Sequence, residues 1–277
     1  MAWHHGPVAR IAWSKRRITL VALLAGWALV LGVIAYVSAR NGTATAREQT
    51  TVADARPAVD RGVADVVRAG SSLGAVVAPS PFTRIGSCRI SAVRDGERWE
   101  QSVTLFTRPG DETALLDRLG KALPPSYRAS VRARAGQPTL RADAGNYVGI
   151  SAAAATPGEV RVTVATGCRG VSGWVMPGEP PEQLRAPLAA PIAALKLQPA
   201  RWRGFGVPCP DGREVQVVTA EGEPGVVPVP LPGALSTVGP SPVVAEPDRY
   251  AYRSGITSVV ARIGDSGLSL TATTPCL

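Results

Sequence analysis

The chain has 277 residues, of which 45% are hydrophobic, so it can form one large or two small folded domains beyond a membrane segment. Its net charge of +9 would suit a nucleic-acid-binding protein. However, four positive charges lie within residues 1–17, and the later ones are interspersed with acidic residues. No basic run or helix face emerges in the later part of the sequence, which argues against nucleic acid as a partner.

An uncharged apolar segment from Ile18 to Ala39 predicts a transmembrane helix. It is 22 residues long, and at about 1.5 Å per residue such a helix covers the roughly 30 Å hydrocarbon core of a bilayer. The preceding tail is basic, whereas the segment after Ala39 mixes both signs of charge. The positive-inside rule therefore predicts a cytoplasmic tail (1–17) and an extracytoplasmic chain from Arg40 onwards.

A cleaved secretory signal is the alternative to a retained anchor. Val37-Ser38-Ala39 and Ala44-Thr45-Ala46 both resemble the small-residue sites at which signal peptides are cleaved. The apolar segment 18–39 is longer than the roughly 7–15 apolar residues of a signal peptide. We therefore favour a retained signal-anchor, and either outcome exports the same domain.

The residues that follow the span predict a spacer and then a helix. Residues 40–56 are small and polar, which is typical of a flexible spacer. Valines recur at helical spacing from Val59 to Val67 and predict an amphipathic helix over 57–70, with Pro57 at its first position. We expect this helix to pack on the domain that follows or on a partner, and we favour the domain.

Four cysteines lie after the span, at Cys88, Cys168, Cys209 and Cys276. An even number on the exported side of a membrane indicates disulfides, and four cysteines allow three pairings. Because no CxxC pair is present, neither a thioredoxin-type redox site nor a zinc knuckle is indicated.

The two halves of the exported part resemble each other in the order of their features. Each begins with a cysteine and an Asp-Gly pair, Asp95-Gly96 or Asp211-Gly212, which predicts a turn before an alternating strand. Each ends in a hairpin and a Thr-rich stretch closed by cysteine, TVATGC or TATTPC. We interpret this as an internal duplication. It predicts disulfides that join the first cysteine to the second and the third to the fourth.

The sequence predicts an α+β fold of two small disulfide-closed units. In the first, residues 71–168, Asp111 and Pro124 bound a helix with a leucine stripe, and alternating segments give the order β-α-β-β-β. The second, residues 204–277, is predicted to be a degenerate copy, because prolines between Pro224 and Pro232 leave at most one turn of helix. The predicted core of the first unit comprises Val103, Leu105, Leu115, Leu116, Leu119, Val131, Ile150, Val162 and Val164.

Residues 169–203 are predicted to form a partly packed, Pro-rich linker, since two prolines interrupt its leucine pattern. Trp174 and Trp202, with Phe205 just beyond, lie in or beside this linker. They could form a recognition patch, but anchoring the linker to the two units is the simpler interpretation.

Residues that carry catalytic or metal chemistry are sparse. The only histidines are His4 and His5 in the tail, so the exported part has no imidazole for catalysis or metal ligation. Asp95, Glu97 and Glu100 cluster near the first Asp-Gly pair. A carboxylate hydrolase needs two suitably spaced carboxylates, which this cluster could provide, but a charged turn is the simpler interpretation. Calcium-binding and phosphate-binding loop motifs are absent. We expect no catalytic, cofactor or metal site, and no enzyme.

The organisation of basic tail, single span, spacer and cysteine-closed exported domain resembles that of many uncharacterised actinobacterial envelope proteins. The segment RDGERWEQSVTL and the TGC and TPC boundaries are similar to segments of such proteins. This resemblance implies a location in the cell envelope and no particular activity. We expect a non-catalytic, single-pass membrane protein whose exported domain binds or scaffolds an envelope protein or cell-wall component. The alternative is an exported hydrolase that uses carboxylates or a serine nucleophile without histidine.

Overall fold

The computed structural model describes residues 15–41, 51–91, 94–134, 137–170, 182–223, 230–264 and 267–276. The chain divides into two compact units, Met1–Thr45 and Ala46–Leu277. His4, His5, Trp174 and residues 42–50 of the predicted spacer lie outside the described residues.

The described residues of the N-terminal unit form one helix, α1 (Lys15–Asn41). Its segment Ile18–Val37 is long and apolar enough to cross a membrane. The predicted apolar helix is therefore confirmed, and it continues two residues beyond Ala39.

The second unit is an α+β fold with two antiparallel sheets. Its helices are α2 (Val52–Ser72), α3 (Glu112–Ala122), α4 (Ala189–Leu195) and α5 (Leu231–Leu235), with 3-10 segments at Pro125–Tyr127 and Glu182–Leu188. Its strands are β1 (Val76–Pro79), β2 (Thr83–Ser91), β3 (Arg94–Phe106), β4 (Ser130–Arg134), β5 (Gln137–Asp143), β6 (Gly149–Thr156), β7 (Glu159–Arg169), β8 (Arg201–Pro208), β9 (Glu214–Glu221), β10 (Val244–Glu246), β11 (Arg249–Ser254), β12 (Thr257–Gly264) and β13 (Gly267–Thr274).

The two sheets share one connectivity. Sheet 1 has the order β1-β3-β7-β6-β5-β4, with β2 also paired to β3, and sheet 2 has the order β10-β11-β12-β13-β9-β8. Without β1, each sheet consists of a hairpin, a helix and four consecutive strands, the last of which pairs with the second strand of the hairpin.

Helix α2 lies between the sheets. It packs on β1, β3 and β7 of sheet 1 and on β8 of sheet 2. Val207, Val215 and Val217 of sheet 2 accordingly belong to the same apolar core as α2. Helices α4 and α5 pack on the opposite face of sheet 2, where Leu188 and Leu235 are buried. In the described part of the chain, α2 therefore lies between the two sheets, and α4 and α5 cover the far side of sheet 2. On the other face of sheet 1, Val76 and Phe106 pack against Val244, Ala251 and Val260 of sheet 2. The part of that face around Arg132, Arg141 and Arg161 is exposed.

Helix α2 begins earlier than predicted. The Thr51 hydroxyl accepts a hydrogen bond from the Asp54 amide at 3.2 Å, and the Asp54 carboxylate accepts one from the Thr51 amide at 2.8 Å. This capping box fixes the first turn at Val52. Pro57 consequently lies inside the helix, and the predicted spacer 40–56 is wrong at its C-terminal end. The helix packs on the domain, as predicted.

The first sheet contains more strands than the predicted order β-α-β-β-β. Strands β1, β2 and β5 were absent from that order, and Asp95 and Gly96 lie within β3, paired with Arg89 and Cys88. A Cβ at Gly96 would overlap the carbonyl oxygen of Arg169. The glycine is thus required by a close backbone approach rather than by a turn.

Most other local predictions agree with the structure. Gly212 has a φ of +81° and lies in the turn between β8 and β9. Leu115 and its neighbours in the α3 stripe are buried. Among the nine predicted core residues, Val131 is partly buried and the other eight are buried. Asp111 precedes α3 without capping it, since its side chain makes no cap hydrogen bond.

Candidate anion-binding site

A shallow groove runs along β6 on the outer face of sheet 1. Side chains alternate along a strand, so Ile150 and Ala152 point into the core while Ser151 and Ala153 point outward. The groove has a volume of about 290 Å³. It is lined by Thr139, Arg141, Ser151, Ala152, Ala153, Ala154, Ala155, Arg161 and Thr163. We call this set of residues the β6 groove.

Two arginines stand on opposite sides of the β6 groove. Arg141 of β5 is the cross-strand partner of Ser151, and Arg161 of β7 is the partner of Ala153. The two arginines are therefore offset by two residues along β6, or roughly 6–7 Å, and their strands are about 10 Å apart. Both side chains are exposed.

The base of the groove is formed by small side chains. Ser151, Ala153 and Ala155 place no bulky group between the arginines. The hydroxyl groups of Thr139 and Thr163 flank this base on the neighbouring strands. The groove therefore offers small apolar surface, hydroxyl groups and two guanidinium groups to a ligand.

The same face carries a further positive charge. Arg132 of β4 is exposed and is the cross-strand partner of Thr139. Among the described residues, Arg132, Arg141 and Arg161 form no ion pair. The acidic residue at the end of β5, Asp143, pairs instead with Arg128 at 3.5 Å. This part of the sheet face is consequently positive.

Carboxylates also lie on this face, outside the groove lining. Asp143 and Glu159 are each two positions along the strand from one of the arginines, and they pair with Arg128 and with Arg249 and Arg262, respectively. Glu100 of β3 pairs with Ala165 and is not among the residues that line the groove. An approaching anion therefore meets guanidinium groups and hydroxyl groups within the groove itself.

The charge and shape of the β6 groove suit an anion on a hydroxyl-rich ligand. A guanidinium group can donate two parallel hydrogen bonds to a carboxylate or phosphate, which Lys cannot do with the same geometry. Because both arginines are exposed, the bound anion would remain partly hydrated, and each contact would contribute less than a buried one.

The carboxylates singled out in the sequence do not converge. Glu97 accepts hydrogen bonds from Arg84 at 2.6 Å and from the Trp99 indole at 3.0 Å. The hydrogen bond from Trp99, together with Arg84, holds the pKa of Glu97 below its usual range. Glu100 lies beyond the irregularity of β3 at Trp99 and is the cross-strand partner of Ala165, whereas Glu97 is the partner of Arg169. A general acid needs a raised pKa, so Glu97 is a paired structural carboxylate.

Both disulfides have the pairing that the comparison of the halves predicts. Cys88 of β2 is bonded to Cys168 of β7, with a Cα separation of 5.9 Å. Cys209, just after β8, is bonded to Cys276, just after β13, with a Cα separation of 6.1 Å. The first bond therefore links β2 to β7, and the second links the end of β8 to the end of β13. In both sheets these are the first strand of the hairpin and the last of the four strands that follow the helix.

The aromatic residues near the linker have structural contacts. Trp202 lies in β8, where its ring is 4.8 Å from the Arg185 guanidinium of the preceding 3-10 segment. Phe205 is partly buried against the core. These contacts favour the anchoring interpretation over a recognition patch. Among the described residues, no group of three His, Cys, Asp or Glu side chains could hold a metal ion.

The arginines of the β6 groove were missed by sequence reasoning. Arg141 and Arg161 belong to different strands and to no basic run, so they become neighbours only across the sheet. They form neither a basic run nor a basic helix face, because the surface that they share is one face of a sheet. The available signal was the strand Gly149–Thr156, whose outward positions carry only small side chains between two arginine-bearing strands.

Compared with known proteins, the chain matches no family model, and it has no significant match among curated proteins or solved structures.

Proposed function

We propose that this chain is a non-catalytic, single-pass membrane protein whose exported unit binds an anionic component of the cell envelope through the β6 groove. The observation that carries this proposal is the position of Arg141 and Arg161 on opposite sides of an open groove. Neither has an ion-pair partner among the described residues, so their charges are available to a ligand.

The location in the cell membrane is supported by three features. Helix α1 contains an apolar segment of sufficient length, Ile18–Val37. The basic tail before it favours a cytoplasmic N-terminus. The two disulfides of the second unit are typical of proteins that fold in an oxidising, extracytoplasmic compartment. Together they support an exported domain held at the membrane.

The composition of the groove supports binding rather than catalysis. Its lining carries hydroxyl and guanidinium groups, and it contains no carboxylate or imidazole to act as a general base. The lining hydroxyls, such as that of Ser151, therefore lack the neighbour that would activate a nucleophile. A groove of this kind is suited to hold a ligand near the membrane.

The proposal includes two repeated units, closed by their own disulfides. When Cys168 is aligned with Cys276, Val164 corresponds to Ala272. Val164 pairs across sheet 1 with Ile150, and Ala272 pairs across sheet 2 with Val259. All four side chains are buried. The agreement of connectivity, register and burial supports an internal duplication, although the second helix, α5, is much shorter than α3.

If the two sheets arose by duplication, the β6 groove of sheet 1 can be compared with the corresponding positions of sheet 2. In this alignment, Arg141 corresponds to Ala251 and Ser151 to Val260. Ala251 and Val260 are buried in an apolar cluster with Val76 of β1. The equivalent positions of sheet 2 are thus apolar and packed, whereas Arg141 and its surroundings on sheet 1 are polar, positive and exposed, which supports a binding role for this part of sheet 1.

Two experiments test this proposal. A phosphatase reporter fused after residue 277 should be active outside the cytoplasmic membrane, and a fusion without activity would contradict the topology. Full-length protein in detergent micelles should be retained on immobilised polygalacturonate and not on dextran, a neutral glycan. Retention should fall with salt, since exposed charge pairs are screened over about 10 Å at 0.1 M. Equal retention on both glycans would contradict the proposal that the ligand is anionic.

A further inference from the structure

We infer that the occupant of the β6 groove is a linear anionic glycan that lies extended along β6, with carboxylate or phosphate groups on both sides. This inference rests on the proposed function and specifies the class of its ligand. It follows from the open end of the groove at Gly149, the spacing of the two arginines and the chemistry of the lining.

The groove allows a chain to pass through it. At one end, a Cβ added to Gly149 would meet no atom within 4 Å, so the space beyond this residue is open. At the other end, Ala155 is exposed, whereas the Thr156 hydroxyl accepts a hydrogen bond from Arg249 of β11 at 2.8 Å, so sheet 2 flanks this end. A polymer can therefore enter along the strand direction at Gly149 and leave over the exposed surface of Ala155.

The two arginines suit successive charges on one chain. Arg141 and Arg161 lie on strands about 10 Å apart and are offset along β6 by roughly 6–7 Å. A small monoanion in the centre would engage one guanidinium well and the other poorly. An extended polyanion with charged groups on alternating sides can contact both arginines without bending. Because the two contacts are linked through one chain, the polyanion binds more tightly than either charged group would alone.

The surroundings favour a glycan over a peptide or a nucleic acid. Strand β6 is paired on both sides, with β5 and β7, so a peptide cannot add to it through main-chain hydrogen bonds. The lining contains no aromatic ring on which bases could stack. It does contain the hydroxyl groups of Ser151 and Thr163, which can bond to a hydroxyl-rich chain. The Thr139 hydroxyl donates to the carbonyl oxygen of Arg132 at 3.2 Å, so it can serve the ligand as an acceptor.

A length series tests the inference. Full-length protein in micelles is titrated calorimetrically with galacturonate oligomers from one to about eight sugars, and with phosphorylated dextran fragments in a parallel arm. Affinity should rise by tenfold or more from the monomer and then level off, as expected when linked contacts fill a site of fixed length. The arm that binds more tightly identifies carboxylate or phosphate as the anion.

The possible failures are distinguishable. If the monomer binds as tightly as the longest oligomer, and replacing Arg141 with Gln weakens the binding of both, the inference of a linear ligand is wrong. The proposal that the β6 groove binds an anion then still holds. If no anion of either arm binds, the proposed function fails with the inference.

A blocking variant tests the position of the chain. Ala153→Tyr places a large side chain at the base of the groove on the open face of the sheet. It should weaken binding of the long oligomer by at least about tenfold, since a filled groove cannot seat the chain. Ala133→Tyr, at an exposed β4 position outside the lining, is the matched control and should bind normally. A folded Ala153→Tyr variant with normal affinity would overturn the inference.

Discussion

Glu159 of β7 accepts a hydrogen bond of 2.8 Å from Arg249 of β11, and this buried ion pair joins the two sheets. Arg262 of β12 donates to the same carboxylate oxygen at 2.7 Å. Only 2% of the Glu159 side chain is exposed. Burial opposes its ionisation, but the hydrogen bond from Arg249 and the charge of Arg262 outweigh burial and keep the pKa of Glu159 below 4.5.

Glu159→Gln should destabilise the protein. The substitution leaves two guanidinium groups facing a neutral amide, and breaking a buried pair typically costs about 3 kcal/mol or more. Because the folded pKa of Glu159 is lowered, its contribution is fully present above about pH 5 and is lost as pH falls through the folded pKa. Urea denaturation at pH 7 and near pH 4 should therefore show a difference from wild type that narrows in acid. A constant difference would contradict the assignment, and Asp117→Asn on exposed α3 is the control.

Tyr127→Phe should destabilise the protein by about 1–2 kcal/mol, because it leaves a buried carboxylate without one of its donors. The Tyr127 hydroxyl donates to Asp65 at 2.7 Å. Burial, and then this hydrogen bond, raise the pKa of Tyr127 above 10.0, so its contribution persists at neutral pH and is lost only at strongly alkaline pH. Thermal or urea unfolding measures the effect. Tyr147→Phe, at an exposed tyrosine, should be nearly neutral, and equal effects would contradict the buried contact.

Gly96→Ala should destabilise by about 2 kcal/mol or more, because the new Cβ overlaps the backbone of Arg169 and forces β3 to shift. Gly86→Ala, in the paired strand β2, is the matched control. A Cβ at Gly86 meets no atom within 4 Å, so this change should lie within about 0.5 kcal/mol of wild type. Chemical denaturation of both variants decides the question, and a neutral Gly96→Ala would show that the close approach is absent.

The double substitution Cys209→Ala and Cys276→Ala should lower the free energy of unfolding by roughly 4 kcal/mol on the chain-entropy model. The two cysteines are 67 residues apart, so the bond restricts a long loop in the unfolded chain. Unfolding of oxidised variant and wild-type protein measures the difference. Peptide mapping of unreduced protein should recover Cys88 with Cys168, and a crossed pair would contradict both the structure and the duplication.

Local features of the fold could be predicted from the sequence, because each depends on residues close together in the chain. The leucine stripe of α3, the apolar span of α1 and the turn at Gly212 are of this kind. The start of α2 was missed because two signals competed: Pro57 suits a first helical position, but the capping box of Thr51 and Asp54 forms the earlier start.

Features that depend on cross-strand pairing could not be predicted in the same way. Strand β5 contains Pro138 and is stabilised by its neighbours β4 and β6 rather than by its own residue pattern. The β6 groove likewise exists only after Arg141 and Arg161, twenty positions apart, become neighbours across the sheet. Because arginine is abundant throughout this chain, neither residue is distinctive in the sequence alone.

The most direct test of an anion-binding β6 groove is charge reversal of its two arginines. The affinity of full-length protein for polygalacturonate is measured at one fixed salt concentration for wild type, for Arg141→Glu with Arg161→Glu, and for a control with Arg118→Glu and Arg201→Glu. The control changes the net charge equally at exposed sites outside the groove. We expect about a 100-fold or greater loss for the groove variant, since two charge-assisted contacts become repulsive, and little change for the control. Equal losses in both variants, or none in the groove variant, would contradict the account.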